Sequence, residues 1–193
     1  INGEGKIYLI NTNMSIIFTG STTKVKELFN SLIDGEHITQ DKHDTTINLY
    51  AGFDVYYINK KSTRALEFYP VQTSLDEDES NKKPKVYRVQ LLNKLLTELK
   101  PISVIKNSTC DLSIVCKKFY ATSNTATIFN CCSKILGDVA DGLYKYNTDG
   151  LIFTPARFAV GSSDIGNPGP IVKSTWSHSF KWKPSHYNTI GYY

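Results

Sequence analysis

Two lysines separated by one residue are the first candidates for chemistry in this sequence. Lys181 and Lys183 flank Trp182 in the stretch Phe180–Pro184, "FKWKP". Alternate residues of a β-strand face the same side, so both ammonium groups should project together while Trp182 points into the core. Two adjacent cations repel each other unless an anion or solvent intervenes, and a phosphate is a natural partner for lysine. The alternative is an ordinary edge strand, where exposed lysines are common.

An acid at the start of a short apolar stretch is the second candidate. Asp149 and Gly150 precede Leu151–Thr154, a run typical of a buried strand. A carboxylate at the mouth of a strand can hold Mg²⁺ or a water molecule bound to it. Asp–Gly pairs also build turns, so a purely structural role for Asp149 remains open.

A third set of residues could bind a nucleoside. "LIDGEHI" and "INLYAGFDVYYIN" are β-rich stretches that predict an antiparallel hairpin with its turn near His43–Asp44. That register places Glu36 opposite Ala51 and close to Phe53 and Asp54. The carboxylate would accept hydrogen bonds from ribose hydroxyls while the ring stacks on the base. In the alternative interpretation, Phe53 is a core residue and the Asp–Gly pair is only a turn or bulge.

The elements that must position these residues alternate between hairpins and helices. Besides the hairpin above, the pattern predicts strands over Lys6–Asn11, Ser15–Phe18 and Cys110–Tyr120, a strand to Thr154 and a last strand with Lys181 and Lys183. It predicts helices over Thr22–Asn30, Lys85–Leu99 and Thr125–Leu136, the last ending at Gly137. Leu75–Pro84 reads as a solvated loop. We therefore expect one α+β unit with a mostly antiparallel sheet and no internal domain boundary.

The composition argues against several classes of protein. The 193 residues carry a net charge of +4, with 40% hydrophobic and 21% charged residues, which is ordinary for a globular protein. No apolar run approaches the ~20 residues of a membrane span, so no membrane partner is expected. Cysteines 110, 116, 131 and 132 have no CxxC pair or histidine at ligand spacing, which disfavours zinc and favours a reducing compartment.

Taken in order, these motifs resemble a known family. "LIDGEHI", "LYAGFDVYYIN", "TDGLIFTP" and "FKWKP" are similar to the motifs of the covalent nucleotidyltransferases, which include DNA ligases, RNA ligases and mRNA capping guanylyltransferases. The resemblance covers nearly the whole chain. It is greatest for the capping branch, and "KWKPSHYNTI" is especially similar to the multifunctional capping enzymes of giant DNA viruses.

The resemblance implies a nucleotidyltransferase domain of the ATP-grasp-like, DNA ligase-like type and a two-step transfer of GMP. A lysine attacks the α-phosphate of GTP, and the lysyl-GMP then passes GMP to the 5′-diphosphate end of RNA, with Mg²⁺ or Mn²⁺ as cofactor. Carried over by motif, Glu36 contacts the ribose and Phe53 stacks on guanine. Asp149 lies near the metal and phosphates, with Gly150 beside it. Lys181 and Lys183 contact the α-phosphate. Asp54 and Arg88 are expected to support the site.

Three departures from the family pattern limit what is expected of these residues. No lysine in the sequence is followed by x-Asp-Gly, the motif that carries the nucleophile. We expect that motif upstream of Ile1 and the closing OB-fold domain downstream, so 1–193 is expected to be a partial domain that is inactive alone. Gly191 stands where relatives often have an acid.

Two alternatives to a capping enzyme remain open. One is an ATP-dependent RNA or DNA ligase fragment, and the other is a catalytically decayed binding module. For the capping enzyme, a viral protein of the host cytoplasm or the virion is expected, with flanking capping domains in the full-length chain.

Overall fold

The computed structural model describes residues 1–71, 85–105, 111–172 and 175–185. Within these ranges the chain alternates short strands with two α-helices and one 3₁₀ turn over Lys26–Leu28. In chain order, the elements are β1 (Lys6–Ile10), β2 (Ile16–Thr22), β3 (Leu32–Gln40), β4 (Thr46–Ile58), β5 (Lys61–Ser62), α1 (Arg88–Leu99), β6 (Ile102–Ser103), β7 (Ser113–Cys116), α2 (Ile128–Ala140), β8 (Leu151–Phe153) and β9 (Phe180–Trp182). The predicted α+β class with mostly antiparallel pairing is confirmed.

The β3–β4 hairpin is the centre of the largest sheet. Its turn is closed by the Asp41 carboxylate, which accepts hydrogen bonds from the backbone N–H groups of His43 at 2.8 Å and Thr45 at 2.9 Å. β5 pairs antiparallel with the end of β4, and β7 pairs parallel with its middle. The predicted register is confirmed, since Glu36 is the partner of Ala51.

A bulge interrupts this hairpin at the Asp–Gly pair. Asp34 pairs with Asp54 and Gly35 pairs with Gly52, which leaves Phe53 as the extra residue on β4. A bulge re-aims the side chain at which it occurs. The motif "DGE" therefore lies at the point where the sheet changes the direction of Phe53.

Helix α1 covers one face of the central sheet. Its apolar residues recur with helical spacing and are buried against β4 and β7: Val89, Leu92, Leu95 and Leu99. Gly52 permits the close approach, because a Cβ there would lie 3.2 Å from the Leu96 side chain. The helix ends at Leu99, since Lys100 adopts a left-handed conformation and Pro101 follows.

Two smaller sheets flank this core. β1, β2 and β6 form one of them, and the buried Thr23 hydroxyl at its end donates to the carbonyl of Leu99 at 2.6 Å. β8 and β9 form the other, with Ile152 opposite Lys181. Helix α2 begins at the cap residue Thr127, whose hydroxyl accepts from the backbone N–H of Asn130. No helix in the described ranges has both the length and the apolar character to cross a membrane.

Several predicted elements are wrong or shorter than expected. Thr22 belongs to β2 and its hydroxyl donates to Gly5, so sheet pairing prevails over the helix predicted for Thr22–Asn30. Helix α2 continues through Gly137, where the space beside the backbone is open, to Ala140. The strand predicted over Cys110–Tyr120 is reduced to β7.

The remaining predictions concern the last strand and the parts of the chain that lie outside the described residues. Trp182 is 44% exposed, so the prediction that it points into the core is wrong, because β9 pairs only with β8 at the surface of the described chain. Lys183 follows the last residue of β9. The loop Leu75–Pro84, Cys110 and Gly191 lie outside the described residues. The described cysteines, at positions 116, 131 and 132, are free thiols.

Candidate functional site

A carboxylate, an aromatic ring and a lysine meet on the central sheet. The Lys117 ammonium lies 2.6 Å from the Glu36 carboxylate and 5.7 Å from the centroid of the Phe53 ring. Glu36 pairs with Ala51, the neighbour of Gly52, and Gly52 faces α1. Glu36 therefore projects from the face that α1 does not cover. Phe53 is half-buried and Glu36 is 57% exposed, so the cluster is open to a ligand.

The parallel strand β7 carries Lys117 to this position. Cys116 pairs with Gly52, and the next backbone N–H, that of Lys117, donates to the carbonyl of Gly52 at 2.8 Å. The register thus fixes Lys117 beside the bulged residue Phe53. Burial raises the pKa of the neighbouring Cys116 thiol to about 11, which keeps it protonated at neutral pH.

A layer of buried polar groups lies next to this cluster. Asp34 and Asp54 face each other across the hairpin, and the Tyr56 hydroxyl donates to the Asp34 carboxylate. Burial raises the pKa of Asp34, although the hydrogen bond from Tyr56 opposes this rise. Burial likewise raises the pKa of Asp54, against the attraction of the Arg88 guanidinium.

Arg88 ties three parts of the fold together. It is fully buried, and its Nε donates to Asp54 Oδ1 at 2.9 Å and to Oδ2 at 3.2 Å. Its Nη1 donates to the carbonyls of Leu66 and Phe158, and Phe68 stacks 5.3 Å from the guanidinium. Because no face of Arg88 reaches solvent, the residue supports the sheet and does not itself present a surface to a ligand.

The second cluster joins Asp149 to the two lysines of "FKWKP". Lys183 Nζ lies 2.6 Å from Asp149 Oδ2, and both side chains are open to solvent. The hydrogen bond from Lys183 lowers the pKa of Asp149, and the charge of Lys181 adds to this effect. Lys183 therefore has a resident carboxylate as its partner, which offsets the repulsion between the two lysines.

Gly150 lets the two short strands of this cluster meet. It adopts a φ of +149°, and a Cβ at this position would lie 2.0 Å from the carbonyl oxygen of Trp182. No other residue type could occupy this position without moving β9. Asp149 is held beside Lys183 by this close approach.

The segment that leads into β8 connects the two clusters. The turn of the β3–β4 hairpin binds this segment, because Lys42 donates from its backbone N–H to the carbonyl of Lys145 at 3.1 Å and from Nζ to that of Gly142 at 2.8 Å. Tyr146 follows directly. Burial raises the pKa of Tyr146, and the negative charge of Glu36 raises it further. Asp149 is only three residues away in sequence.

The arrangement brings together most of the residues singled out from the sequence. Glu36 and Phe53 share one cluster, Asp149, Lys181 and Lys183 share the other, and Asp54 and Arg88 form the buried support. Lys117 and Tyr146 were missed. "VCKKF" gives a weak signal, because it is a β-type run followed by lysines. Only the parallel pairing of β7 with β4 shows that Lys117 meets Glu36, which is 81 residues away in sequence.

The donor set for a metal ion is small. Among the described residues there is no group of three or more His, Cys, Asp or Glu side chains placed to share an ion. Asp149 offers one exposed carboxylate. Mg²⁺ commonly binds through one or two carboxylates together with substrate phosphates and water, so this donor suits an ion that arrives with a nucleotide.

Comparison with known proteins returned no matching family model and no matching curated protein.

Proposed function

We propose that this chain is part of an mRNA capping guanylyltransferase and that its two clusters bind GTP. The observation that carries the proposal is the meeting of Glu36, Phe53 and Lys117 on one sheet face, with Asp149, Lys181 and Lys183 at the end of the adjoining segment. A nucleoside needs a stacking surface and a hydroxyl acceptor, and its phosphates need cations. The choice of guanine as the base and of GMP transfer as the reaction rests on the motif order, which resembles that of the capping branch.

The nucleoside fits the first cluster. The base stacks on Phe53, and Glu36 accepts hydrogen bonds from the ribose hydroxyls. Lys117 holds Glu36 in the absence of a ligand, with its side chain only 23% exposed. On binding, its ammonium turns from the carboxylate toward the nucleotide, and the buried pair of Asp54 and Arg88 keeps the strand beneath Phe53 in place.

The phosphates fit the second cluster. Lys181 and Lys183 stabilise the charge that develops on the α-phosphate during transfer. When Mg²⁺ is bound, Asp149 holds it, and the ion supplies charge stabilisation to the phosphates. Lys183 pairs with Asp149 at 2.6 Å, so the side chain that would hold the cation and one that would contact the α-phosphate lie next to each other.

The covalent chemistry needs a nucleophile from a Lys-x-Asp-Gly segment, which these 193 residues do not contain. In the proposed reaction, the lysine amine forms a bond to the α-phosphorus of GTP and pyrophosphate leaves. A terminal oxygen of the RNA 5′-diphosphate then attacks the same phosphorus, and the lysine–phosphorus bond breaks. The 193-residue chain therefore binds GTP but retains no GMP after denaturation.

The test is a titration of the 193-residue chain with GTP and, separately, ATP in the presence of Mg²⁺. We expect tighter binding of GTP, and we expect Phe53→Ala to weaken it by about 5- to 150-fold, because a stacked base contributes roughly 1–3 kcal/mol. Lys94→Ala, on the exposed face of α1, is the matched control and should leave the affinity unchanged. Binding of neither nucleotide would contradict the proposal and favour a binding module.

A nucleotidyltransferase ligase is the second candidate, because the same six residues would serve ATP equally well. Preference for ATP in this titration would assign the chain to that branch. A chain extended upstream to a Lys-x-Asp-Gly segment gives the complementary result. It should retain label from GTP labelled at the α-phosphate, and Lys181→Ala should abolish the retention.

A further inference from the structure

A strip of tyrosines and lysines leads away from the candidate nucleotide site. We define the tyrosine–lysine strip as Lys118, Tyr120, Lys134, Tyr144 and Tyr146. The Tyr146 ring meets that of Tyr144 edge-on with centroids 6.2 Å apart, and Asp149 of the second cluster follows three residues later in the chain. Leu143, the residue before Tyr144, donates its backbone N–H to the carbonyl of Asp138 in α2 at 2.9 Å. The strip thus runs from the segment that carries Asp149 to helix α2.

Asp138 organises the far end of the strip. Its Oδ2 accepts from the Tyr120 hydroxyl at 2.9 Å, and its Oδ1 pairs with Lys134 Nζ at 2.8 Å. The Asp138 side chain is only 5% exposed, whereas that of Lys134 is 64% exposed. Lys118, also exposed, lies close enough for its charge to lower the pKa of Asp138. The surface therefore presents cations and partly exposed rings above a covered acid. Asp141, at the end of α2, is the exposed acid that opposes them.

Rings that alternate with lysines are suited to a single strand of nucleic acid. Every base has a face that can stack on a tyrosine, and lysines contact the phosphates between bases. A duplex hides the base faces, so it could use only the lysines. Asp149 of the second cluster follows Tyr146 by three residues, which fixes the direction of the strand: its reacting 5′ end lies toward Asp149 and its body runs toward α2.

We propose that the tyrosine–lysine strip binds the single-stranded 5′ region of the RNA that accepts GMP. This proposal rests on the proposed function, because it places the second substrate of that reaction. The rings of Tyr144 and Tyr146 stack on the first bases, and Lys118 and Lys134 contact the phosphates that follow.

The test measures fluorescence anisotropy of an RNA of about 12 nucleotides, a length in the range that such surfaces cover, carrying a 5′-diphosphate and a 3′ dye. The 193-residue chain and its variants are compared, and GTP affinity is measured for the same samples. We expect Tyr144→Ala to weaken RNA binding by about 5- to 100-fold and Tyr144→Phe to preserve it, because stacking needs the ring and not the hydroxyl. Lys118→Ala and Lys134→Ala should each make RNA binding less dependent on salt, with a slope of log K against log salt concentration that is smaller by about 0.7. GTP binding should not change.

Three outcomes would overturn the strip. They are no RNA binding by the unchanged chain, equal binding by Tyr144→Ala and the unchanged chain, or equal competition by a duplex of the same sequence. If GTP still binds in these cases, only the proposed RNA binding by the strip is contradicted. RNA binding that depends on Tyr144, without any GTP binding, would support the proposed role of the strip and contradict the proposed guanylyltransferase function. Lys94→Ala serves as the control for charge alone.

Discussion

The two clusters of the candidate site are built in different ways. Glu36 and Phe53 stand on a hairpin whose second strand has 13 residues, and Lys117 follows the strand β7 that pairs with it; the core helix α1 and a buried ion pair support this sheet. Asp149, Lys181 and Lys183 stand on or beside two strands of three residues each, joined by an exposed ion pair. A long buried sheet holds side chains in fixed positions, whereas a short exposed one adjusts to its ligand. We infer that the first cluster holds the nucleoside in position and the second contributes charge.

The largest effect should follow from removing the support beneath the first cluster. Arg88→Met leaves the Asp54 carboxylate buried without its partner, so we expect a loss of about 3–5 kcal/mol in the free energy of unfolding, measured with urea. Lys181→Met, at an exposed position, should change it by less than about 0.5 kcal/mol. Equal losses in the two variants would mean that the clusters do not differ in this way. The double variant Arg88→Met and Asp54→Asn should regain part of the loss.

The next effect concerns the glycine of the second cluster. Gly150→Ala forces β8 and β9 apart, because the new Cβ would lie 2.0 Å from a backbone carbonyl. We expect a strain of about 1–3 kcal/mol, relieved by separation of the two strands, and weakened binding of pyrophosphate in an equilibrium titration. Gly137→Ala, in open space within α2, is the matched control and should stabilise the chain by about 0.5–1 kcal/mol. If Gly150→Ala bound pyrophosphate with the same affinity as the unchanged chain, the close approach of β8 and β9 would not be needed for binding at the second cluster.

A third prediction uses the acid below the first cluster. Burial raises the folded pKa of Asp34 above its ordinary value of 3.8, so the folded chain binds this proton more tightly than the unfolded chain. The stabilisation from the protonated group is complete below pH 3.8 and is lost as the pH rises through the folded pKa. Asp34→Asn should therefore match the unchanged chain in acid and become the more stable of the two toward neutral pH. Unfolding free energies measured across this range, with Asp149→Asn as the exposed control, would show the difference.

The smallest expected effect on stability is that of Lys183→Ala. The pair with Asp149 is exposed on both sides and screened by salt, so the free energy of unfolding should change by less than about 0.5 kcal/mol. GTP affinity should nevertheless fall, and less so at high salt. A large loss of stability would show that the second cluster is part of the structural framework and not an adjustable charge.

The sequence predicted the elements whose signal is local. The hairpin with Glu36 opposite Ala51 followed from β-rich runs and a polar turn, and α1 followed from its apolar stripe and the proline after it. The helix predicted over Thr22–Asn30 is wrong because the hydroxyls of Thr22 and Thr23 donate to the carbonyls of Gly5 and Leu99, contacts that no local pattern encodes.

For the candidate site, the sequence singled out the acids and rings but not their partners. Asp149 and Lys183 were both identified, yet their ion pair depends on how closely β8 approaches β9 at Gly150. Lys117 was missed because a parallel strand, added from a distant part of the chain, brings it to Glu36. Pairing between remote segments is decided by the tertiary fold, so residue type and spacing alone do not reveal it.

The central claim is that both clusters bind one nucleotide, and fragments of that nucleotide test it most directly. GTP, guanosine and pyrophosphate are each titrated into the unchanged chain, Phe53→Ala and Lys181→Ala. We predict that Phe53→Ala weakens GTP and guanosine but not pyrophosphate, that Lys181→Ala weakens GTP and pyrophosphate but not guanosine, and that GTP binds more tightly than either fragment. GTP binding that is insensitive to Lys181→Ala, or no tighter than that of guanosine, would contradict the claim.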